Sequence, residues 1–395
     1  MDQDVDQDMD QDMDQDVGKR IYLVAGEASG DMYAADVAEA LRAAQSGTVL
    51  RGMGGDAMEA AGVELVEHIR NASFMGFLEV LKNLGKIRRT LRTVKADILA
   101  FQPDRVLTVD YPGFNLRIAS WCNEKNIPVD HYISPQVWAW KKRRIPKIAE
   151  LFNRLYVILP FEREVYAAHV QQGRFEVEFV GHPLLDRIPE PDMAAASEAT
   201  AASEAGTSNW QASQGLDKRP ILALLPGSRL QEISRLLPVL ACAAAQFPNH
   251  QAVIAGAPGR SRSDYPTSLP VLFDQTPALF HHAQAAWITS GTATLEAALH
   301  GLPHIIVYKT SRTTYAIARR LARVPFIGLA NLILGRAAVP ERIQSRCTAE
   351  QLTDDMRTLI EGGAAAEKQR FEFSALRSKL GGPGAAQRVA AGLLQ

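Results

Sequence analysis

Short runs that are apolar at every position recur along the chain between stretches of helical spacing: Arg20–Ala25, Thr48–Arg51, Arg105–Val109, Val129–Ser134 and Leu155–Leu159. A strand that is apolar on both faces has to be covered on both faces, which predicts a parallel sheet with helices on either side. The series breaks between Pro189 and Gly215, an Ala/Ser/Glu/Thr-rich stretch with little apolar periodicity that reads as a surface loop or linker. A second series follows with Ile221–Leu225, Ala252–Ala255, Val271–Phe273, Ala286–Thr289 and His304–Tyr308. The pattern predicts an α/β protein of two doubly wound domains, residues 18–188 and 216–363, facing a cleft between them. A helical segment over 364–395 fits either domain, including a return to the first.

One helical stretch differs from the others. Phe74, Phe77, Leu78, Leu81, Leu84, Ile87 and Leu91 recur at helical spacing, interleaved with Lys82, Lys86, Arg88, Arg89, Arg92 and Lys95. A basic amphipathic helix of this kind can lie in a membrane interface; it can equally pack its apolar stripe on a core. Gly76 and Gly85 argue against one rigid continuous helix.

Composition sets the class. With 395 residues the chain is long enough for two cores, and Cys122, Cys242 and Cys347 form neither a metal-spaced pair nor a disulfide framework, so a reduced cytoplasmic protein is expected. No apolar run reaches the roughly 20 residues that span a bilayer, and no secretory signal is recognisable. The first 17 residues repeat Met-Asp-Gln-Asp and its Val variant, with eight Asp and no Lys or Arg; such a tail has too little apolar content to fold. The net charge of −1 becomes +7 without it. The body is therefore basic and suited to phosphates or acidic lipid. No nucleic-acid partner is expected, and a homodimer is left open.

Candidate chemistry gathers at strand-to-helix turns. Ser290-Gly-Thr-Ala-Thr-Leu-Glu296 leaves backbone N–H groups bare at a helix start, where the dipole welcomes an anion. Glu296, further along that helix, is an acceptor-only group suited to a ribose diol. An ordinary helix N-terminus capped by Ser290 or Thr292 is the alternative. Leu224-Leu-Pro-Gly-Ser-Arg229 closes another strand, and Arg229 can bond a diphosphate bidentately or simply be solvated. In the first half, Val24-Ala-Gly-Glu-Ala-Ser-Gly-Asp31 is a Gly-rich turn without the Lys of a P-loop, and Gly52-Met-Gly-Gly-Asp-Ala57 nominally fits a dinucleotide fingerprint, with Glu67 a rough match for its ribose acid. Asp110, at the end of a buried strand, reads as a general base raised by desolvation or as a carboxylate satisfied by nearby N–H groups. His131-Tyr-Ile-Ser-Pro-Gln-Val-Trp-Ala-Trp140, followed by Lys141, Lys142, Arg143, Arg144 and Lys147, sets stacking surface beside positive charge; Trp138 and Trp140 also read as core.

These stretches, with Met75-Gly-Phe-Leu-Glu-Val80, Val109-Asp-Tyr-Pro-Gly-Phe-Asn115, Phe179-Val-Gly-His-Pro183 and Leu225-Pro-Gly-Ser-Arg229, resemble the lipid-A-disaccharide synthase family in the same order across nearly the whole chain. The resemblance implies a GT-B fold and an inverting transfer from UDP-2,3-diacylglucosamine to 2,3-diacylglucosamine 1-phosphate, releasing UDP. It implies a UDP site in the second domain, with Arg229, Ser290, Gly291, Thr292, Glu296 and Asn331, and Asp110 as the base. Glu27, Ser29, Ser134, Trp138, Trp140 and Arg143 fall on the acceptor side. Phe74, Phe77, Leu78, Leu81 and Leu84 would meet acyl chains and the inner face of the cytoplasmic membrane. Neither cofactor nor metal is expected. Where the family pattern has Pro before an Asn-Leu pair, this chain has Ala330-Asn331-Leu332. A sugar-nucleotide epimerase of the same fold and a nucleotide-sensing membrane adaptor are the rival readings.

Overall fold

The computed structural model describes residues 18–72, 84–140, 142–189, 200–321, 324–361 and 363–395. The chain divides into two compact units, one running to Pro183 and regaining Gly382–Gln395, the other spanning Leu184–Gly381. Each is built on one parallel sheet.

In the first unit the strands are β1 (Arg20–Ala25), β2 (Val49–Gly54), β3 (Glu64–His68), β4 (Arg105–Val109), β5 (Val129–Tyr132), β6 (Arg154–Val157) and β7 (Glu176–Phe179), in the spatial order β3-β2-β1-β4-β5-β6-β7. Successive side chains of a strand point to opposite faces. Accordingly Tyr22 and Val24 join one buried cluster with Val94, Ile98 and Ile118, while Ile21, Leu23 and Ala25 join another with Val37, Leu41 and Leu107. Burying each such side chain contributes about 1.5–3 kcal/mol, so both faces of β1 stabilise the fold.

In the second unit β8 (Ile221–Leu225), β9 (Gln251–Gly256), β10 (Val271–Phe273), β11 (Ala283–Thr289), β12 (His304–Tyr308) and β13 (Glu341–Ile343) stand in the order β10-β9-β8-β11-β12-β13. Leu222, Leu224 and Trp287 share one core cluster, and Ile221, Ala223, Leu225 and Ile288 share the other. Numbered from its own first strand, each sheet begins 3-2-1-4-5-6. The order reverses between the first and fourth strands, the place where open α/β sheets leave a crevice at their carboxyl edge.

Three features depart from the sequence reading. The stretch expected to be a loop before Gly215 contains a helix, Thr200–Ser213. Its Ala-rich composition favours helix without an apolar stripe, and it is held to the second unit by Trp210 stacked on His282 at 4.6 Å and by the Gln211 amide donating to Arg219 O at 2.9 Å. The C-terminal segment is two helices, Ala364–Lys379 in the second unit and Ala385–Leu394 in the first. The latter buries Val389, Ala390 and Leu393 in the same cluster as Val37 and Leu41 of the helix Ala28–Ala44. Finally, of the two readings of the apolar stripe, Ile87 and Leu91 depart from the membrane-facing one: they are core residues of the helix Leu84–Phe101, packed with Val94 and Ile98. Lys86, Arg88, Arg89 and Arg92 occupy its exposed side.

The loose dinucleotide fingerprint is also corrected. Its turn does cradle an anion, but the anion is Asp31: the buried carboxylate accepts from Gly55 N–H at 2.6 Å, Ala57 N–H at 3.0 Å and Met58 N–H at 3.2 Å. A side chain at Gly55 would stand 2.7 Å from that carboxylate. Three N–H groups at the start of the helix Asp56–Ala60 are thereby satisfied within the chain, and no cofactor phosphate is needed there. Asp31→Ala leaves them buried without a partner and should cost about 1–3 kcal/mol, read as a lowered urea midpoint at unchanged slope.

Candidate active site

The second unit presents two turns that flank its order reversal, since β8 and β11 are paired with Leu225 opposite Ile288. After β8 the chain passes Gly227 at φ +111°, in the left-handed region, where an added Cβ would lie 2.5 Å from Glu232 Oε2. Arg229 precedes the helix Leu230–Ala244, and Glu232 accepts from both its backbone N–H at 3.3 Å and its Nη1 at 3.1 Å. The Arg229 side chain is 74% exposed, so this ion pair holds it only weakly. It is free to exchange Glu232 for a diphosphate, which offers bidentate bonds.

After β11, Ser290 N–H continues the ladder to Val307 O at 3.1 Å and its hydroxyl donates to Ile327 O at 2.9 Å. Gly291 and Thr292 are exposed at the start of the helix Thr292–Leu299, whose first N–H groups have no intrahelical acceptor. Almost nothing crowds the position a Gly291 side chain would take. One turn along, Glu296 is half-buried, burial raises its carboxyl above the ordinary value, and its carboxylate takes no hydrogen bond from another described residue. A desolvated acceptor without a donor is what a vicinal diol would complete.

Asn331 behaves differently from the expectation. It is fully buried in the helix Leu329–Leu334; its Nδ2 donates to Val339 O at 2.8 Å and Glu341 Oε1 at 2.9 Å, and its Oδ1 accepts from Ala338 N–H at 2.8 Å and Val339 N–H at 2.9 Å. Both donors and both lone pairs of the amide are used. Asn331 is framework, and a ligand could bond it only by displacing one of these partners. Its work is shared with Glu341 on β13, which also accepts from Ile327 N–H at 3.0 Å and Gly328 N–H at 2.9 Å. Because Ser290 bonds the Ile327 carbonyl, Glu341 and Asn331 shape the loop beside the Gly291 turn. Glu232, one turn into the helix after Arg229, is already conspicuous in the sequence; sequence reasoning missed Glu341, because an acid in a three-residue edge strand carries no distinctive signal.

In the first unit the equivalent pair of turns follows β1 and β4, with Ala25 opposite Val109. Glu27 is the N-cap of the helix Ala28–Ala44 and Ser29 is exposed in its first turn. Asp110 and Tyr111 both have left-handed backbones, φ +46° and +45°, although neither is glycine. Such conformations cost of order 1–3 kcal/mol each and persist only where neighbours impose them. The Tyr111 ring occupies the space beside Gly26, where a Cβ would lie 2.0 Å from ring Cδ1. Burial raises the Asp110 carboxyl above the ordinary value, opposed by the Tyr111 N–H it accepts. Asp110 thus has an N–H donor, and desolvation still outweighs it.

The aromatic stretch is internal where it is described. Trp138 is buried edge-on to Phe161, with ring centroids 4.8 Å apart, and its indole N–H donates to Glu162 Oε1 at 3.0 Å. Glu162, itself buried, accepts Leu159 N–H at 3.1 Å, and Ser134 Oγ meets Tyr166 Oη at 2.9 Å. Ser134 and Trp138 therefore shape the turn from within; the core reading holds for Trp138. The Trp140 side chain lies outside what is described, as do Lys141 and Phe74, Phe77, Leu78 and Leu81; Leu84 opens the described helix. Arg143 is exposed in the turn Lys142–Arg144 and makes no ion pair with a described residue.

Two Rossmann-like domains, each offering polar turns at the reversal of its sheet, define the GT-B class of glycosyltransferases. The fold is shared with the glycosyltransferase of kitacinnamycin (TM-score 0.61, 15% identity, 95% and 98% of the two chains) and with UDP-GlcNAc 2-epimerase from Neisseria meningitidis bound to UDP-GlcNAc (TM-score 0.65, 13% identity, 95% and 99%). Residues 21–383 match the family model described as lipid-A-disaccharide synthetase. The chain is 37% identical over 388 residues to lipid-A-disaccharide synthase of Myxococcus xanthus, covering 95% of this chain and 97% of that one. It is 37% identical over 390 residues to the Geobacter metallireducens enzyme, with the same coverage. The chain belongs to the lipid-A-disaccharide synthase family, and is a glycosyltransferase of lipid A biosynthesis.

Burial pushes the Glu162 carboxyl up to about 7 despite its Trp138 and Leu159 donors. A raised carboxyl binds more protons in the folded than in the unfolded state between the ordinary carboxylate range and that value, so its contribution to stability falls as pH rises through the window. Glu162→Gln should flatten the dependence of the urea midpoint on pH between about 5 and 8. A slope identical to that of the parent protein would show that Glu162 does not titrate there.

Proposed function

We propose that this enzyme transfers the diacylglucosamine unit of UDP-2,3-diacylglucosamine to the 6-hydroxyl of 2,3-diacylglucosamine 1-phosphate, inverting the anomeric centre and releasing UDP. The observation that carries the assignment of roles is the matched pair of turns: diphosphate-suited groups flank the reversal of one sheet, and a raised carboxylate flanks that of the other. In this reading the acceptor oxygen forms a bond to the anomeric carbon as the bond to the β-phosphate oxygen breaks. The hydroxyl proton passes to Asp110, and the electron pair leaves with UDP.

The burial of Asp110 supports the base role, because a carboxyl raised above its ordinary value by desolvation is a stronger proton acceptor when ionised. Arg229 and the N–H groups at Gly291 and Thr292 take up the growing charge on the diphosphate. Glu296 accepts the ribose hydroxyls; Ser290 and Asn331 keep the turn and its neighbouring loop in place. Glu27 and Ser29 lie beside Asp110 for acceptor hydroxyls, and exposed Arg143 is available to the acceptor 1-phosphate. Ser134, Trp138 and Trp140 belong to the segment that presents that arginine.

Both substrates are acylated, so the enzyme would work at the inner face of the cytoplasmic membrane, with Phe74, Phe77, Leu78, Leu81 and Leu84 meeting acyl chains. No helix among the described residues is long and apolar enough to cross a membrane, consistent with peripheral contact. The exposed Lys86, Arg88, Arg89 and Arg92 continue the segment with charges suited to anionic headgroups.

The decisive experiment incubates the protein with both acylated substrates and follows UDP. Release that requires the acceptor supports the synthase reading; UDP release in its absence points instead to an epimerase-like or hydrolytic reaction. Asp110→Asn should lower kcat by about 10²–10⁴-fold and leave UDP affinity unchanged. In the parent protein, activity should fall as pH drops through a value above the ordinary carboxyl range, since the base must be ionised to accept a proton. Because the substitution removes a half-buried charge, stability at neutral pH should hold or rise. For the membrane role, replacing Leu78, Leu81 and Leu84 by Ser should reduce sedimentation with anionic liposomes, and undiminished pelleting would count against it.

A further inference from the structure

The left-handed turn that carries Asp110 needs an explanation, and Asn115 supplies it. Asn115 is fully buried in the helix Pro112–Glu124, with its side chain turned back beneath β4. Its Nδ2 donates to Val109 O at 3.1 Å and to Asp110 O at 2.7 Å. Carbonyl oxygens only accept, so the amide must turn its NH₂ end toward them, and its orientation is fixed by chemistry. The other end, Oδ1, is buried without a hydrogen-bond partner among the described residues. Polar groups buried in this way are rare, and an arrangement selected for stability alone would avoid one.

The same two peptide units are gripped on other sides. Asp110 N–H donates to Tyr132 O at 2.9 Å, extending the ladder from β4 to β5 by one residue. Tyr111 O accepts from Phe114 N–H at 3.2 Å and Asn115 N–H at 3.1 Å, and Pro112 starts the helix with a fixed φ. Of these contacts, the Asn115 amide alone bonds both the last carbonyl of the strand and the first of the turn. It therefore sets the rotation of the Asp110 peptide, and with it the direction in which the carboxylate leaves the chain.

We propose that Asn115 is a positioning residue for the reaction: by clamping the Val109 and Asp110 carbonyls it holds Asp110 in its left-handed, desolvated state. The proposal rests on the assignment of Asp110 as base. Without the clamp, the strained pair relaxes toward ordinary backbone angles and the carboxylate moves into water. A displacement on the order of 1 Å can cost 10²-fold in rate.

The test compares Asn115→Ala, which removes both donors, with Asn115→Ser, which keeps a shorter one, and with Asp110→Asn. For Asn115→Ala we expect kcat to fall by about 10²-fold while UDP affinity, read by calorimetry, is unchanged. The acid limb of the pH profile should move down toward the ordinary carboxyl range, because Asp110 regains solvent. Asn115→Ser should fall between, and it carries the same readouts where the alanine variant does not fold. Wild-type kcat in the Asn115 variants, or a fall whose acid limb stays in place, would overturn the proposal, the latter marking Asn115 as merely structural. If Asp110→Asn turns over normally, the base assignment fails and takes this proposal with it. If Asp110→Asn is inactive and Asn115→Ala is normal, only the proposal falls.

Discussion

The placement of every candidate site turn in this protein depends on where strand order reverses in a parallel sheet. A chain that builds a sheet outward from its first strand, then returns to build on the other side, places crossover helices on opposite faces. The turns leaving the first and fourth strands consequently part from one another and open a crevice at the carboxyl edge. In the second unit those turns carry Arg229 and Ser290–Thr292; in the first they carry Glu27–Ser29 and Asp110. Neither grouping follows from sequence distance, since some sixty residues separate Arg229 from Ser290. Adjacency comes from the pairing of β8 with β11 and of β1 with β4.

A crevice of this kind needs turns of defined shape, and the chain secures them with buried polar groups that consume backbone N–H groups. Asp31 holds the turn after β2, half-buried Glu341 and buried Asn331 hold the loop before and after the helix Leu329–Leu334, and Glu162 ties the Leu159 N–H after β6 to the Trp138 indole of the aromatic turn after β5. A typical hydrogen bond contributes only about 0.5–1.5 kcal/mol, whereas leaving its buried partner unmade costs more, so such groups specify geometry more than they add stability. The groups left over are informative for the same reason. Among the described residues, half-buried Glu296 has no donor and Arg229 is tied only to the Glu232 carboxylate. Framework acids are saturated by the chain, whereas the group suited to a ligand is not.

Much of the fold was legible. Central strands such as Arg20–Ala25, Arg105–Val109, Ile221–Leu225 and His304–Tyr308 are apolar on both faces, and the structure has strands at those positions. The strands β3, β7 and β13 gave no such signal: they are edge strands, half-exposed, and read Glu-Leu-Val-Glu-His, Glu-Val-Glu-Phe and Glu-Arg-Ile. The helix Thr200–Ser213 was obscured because Ala and Ser supply propensity without periodicity. At the candidate turns, Arg229, Gly291 and Thr292 are exposed, as residue type at a strand-to-helix turn suggests. Residue type was a poor guide to Asn331 and Trp138, whose polar atoms point inward to Glu341 and Glu162.

The sequence by itself determined the class of fold and the family and marked the candidate turns, because continuous apolar runs and glycine-bearing turns are local and survive without knowledge of their neighbours. Tertiary structure alone decided which polar residues are spent on the chain and which, among the described residues, are left without such a partner. That distinction depends on partners far away in sequence: Asp31 on Gly55, Trp138 on Glu162, Ser290 on Ile327. It also decided the backbone of Asp110, since a left-handed, half-buried carboxylate arises only when strand pairing and a helix start impose it together. Local sequence can propose a carboxylate; the surrounding fold sets its conformation, its solvation and hence its basicity.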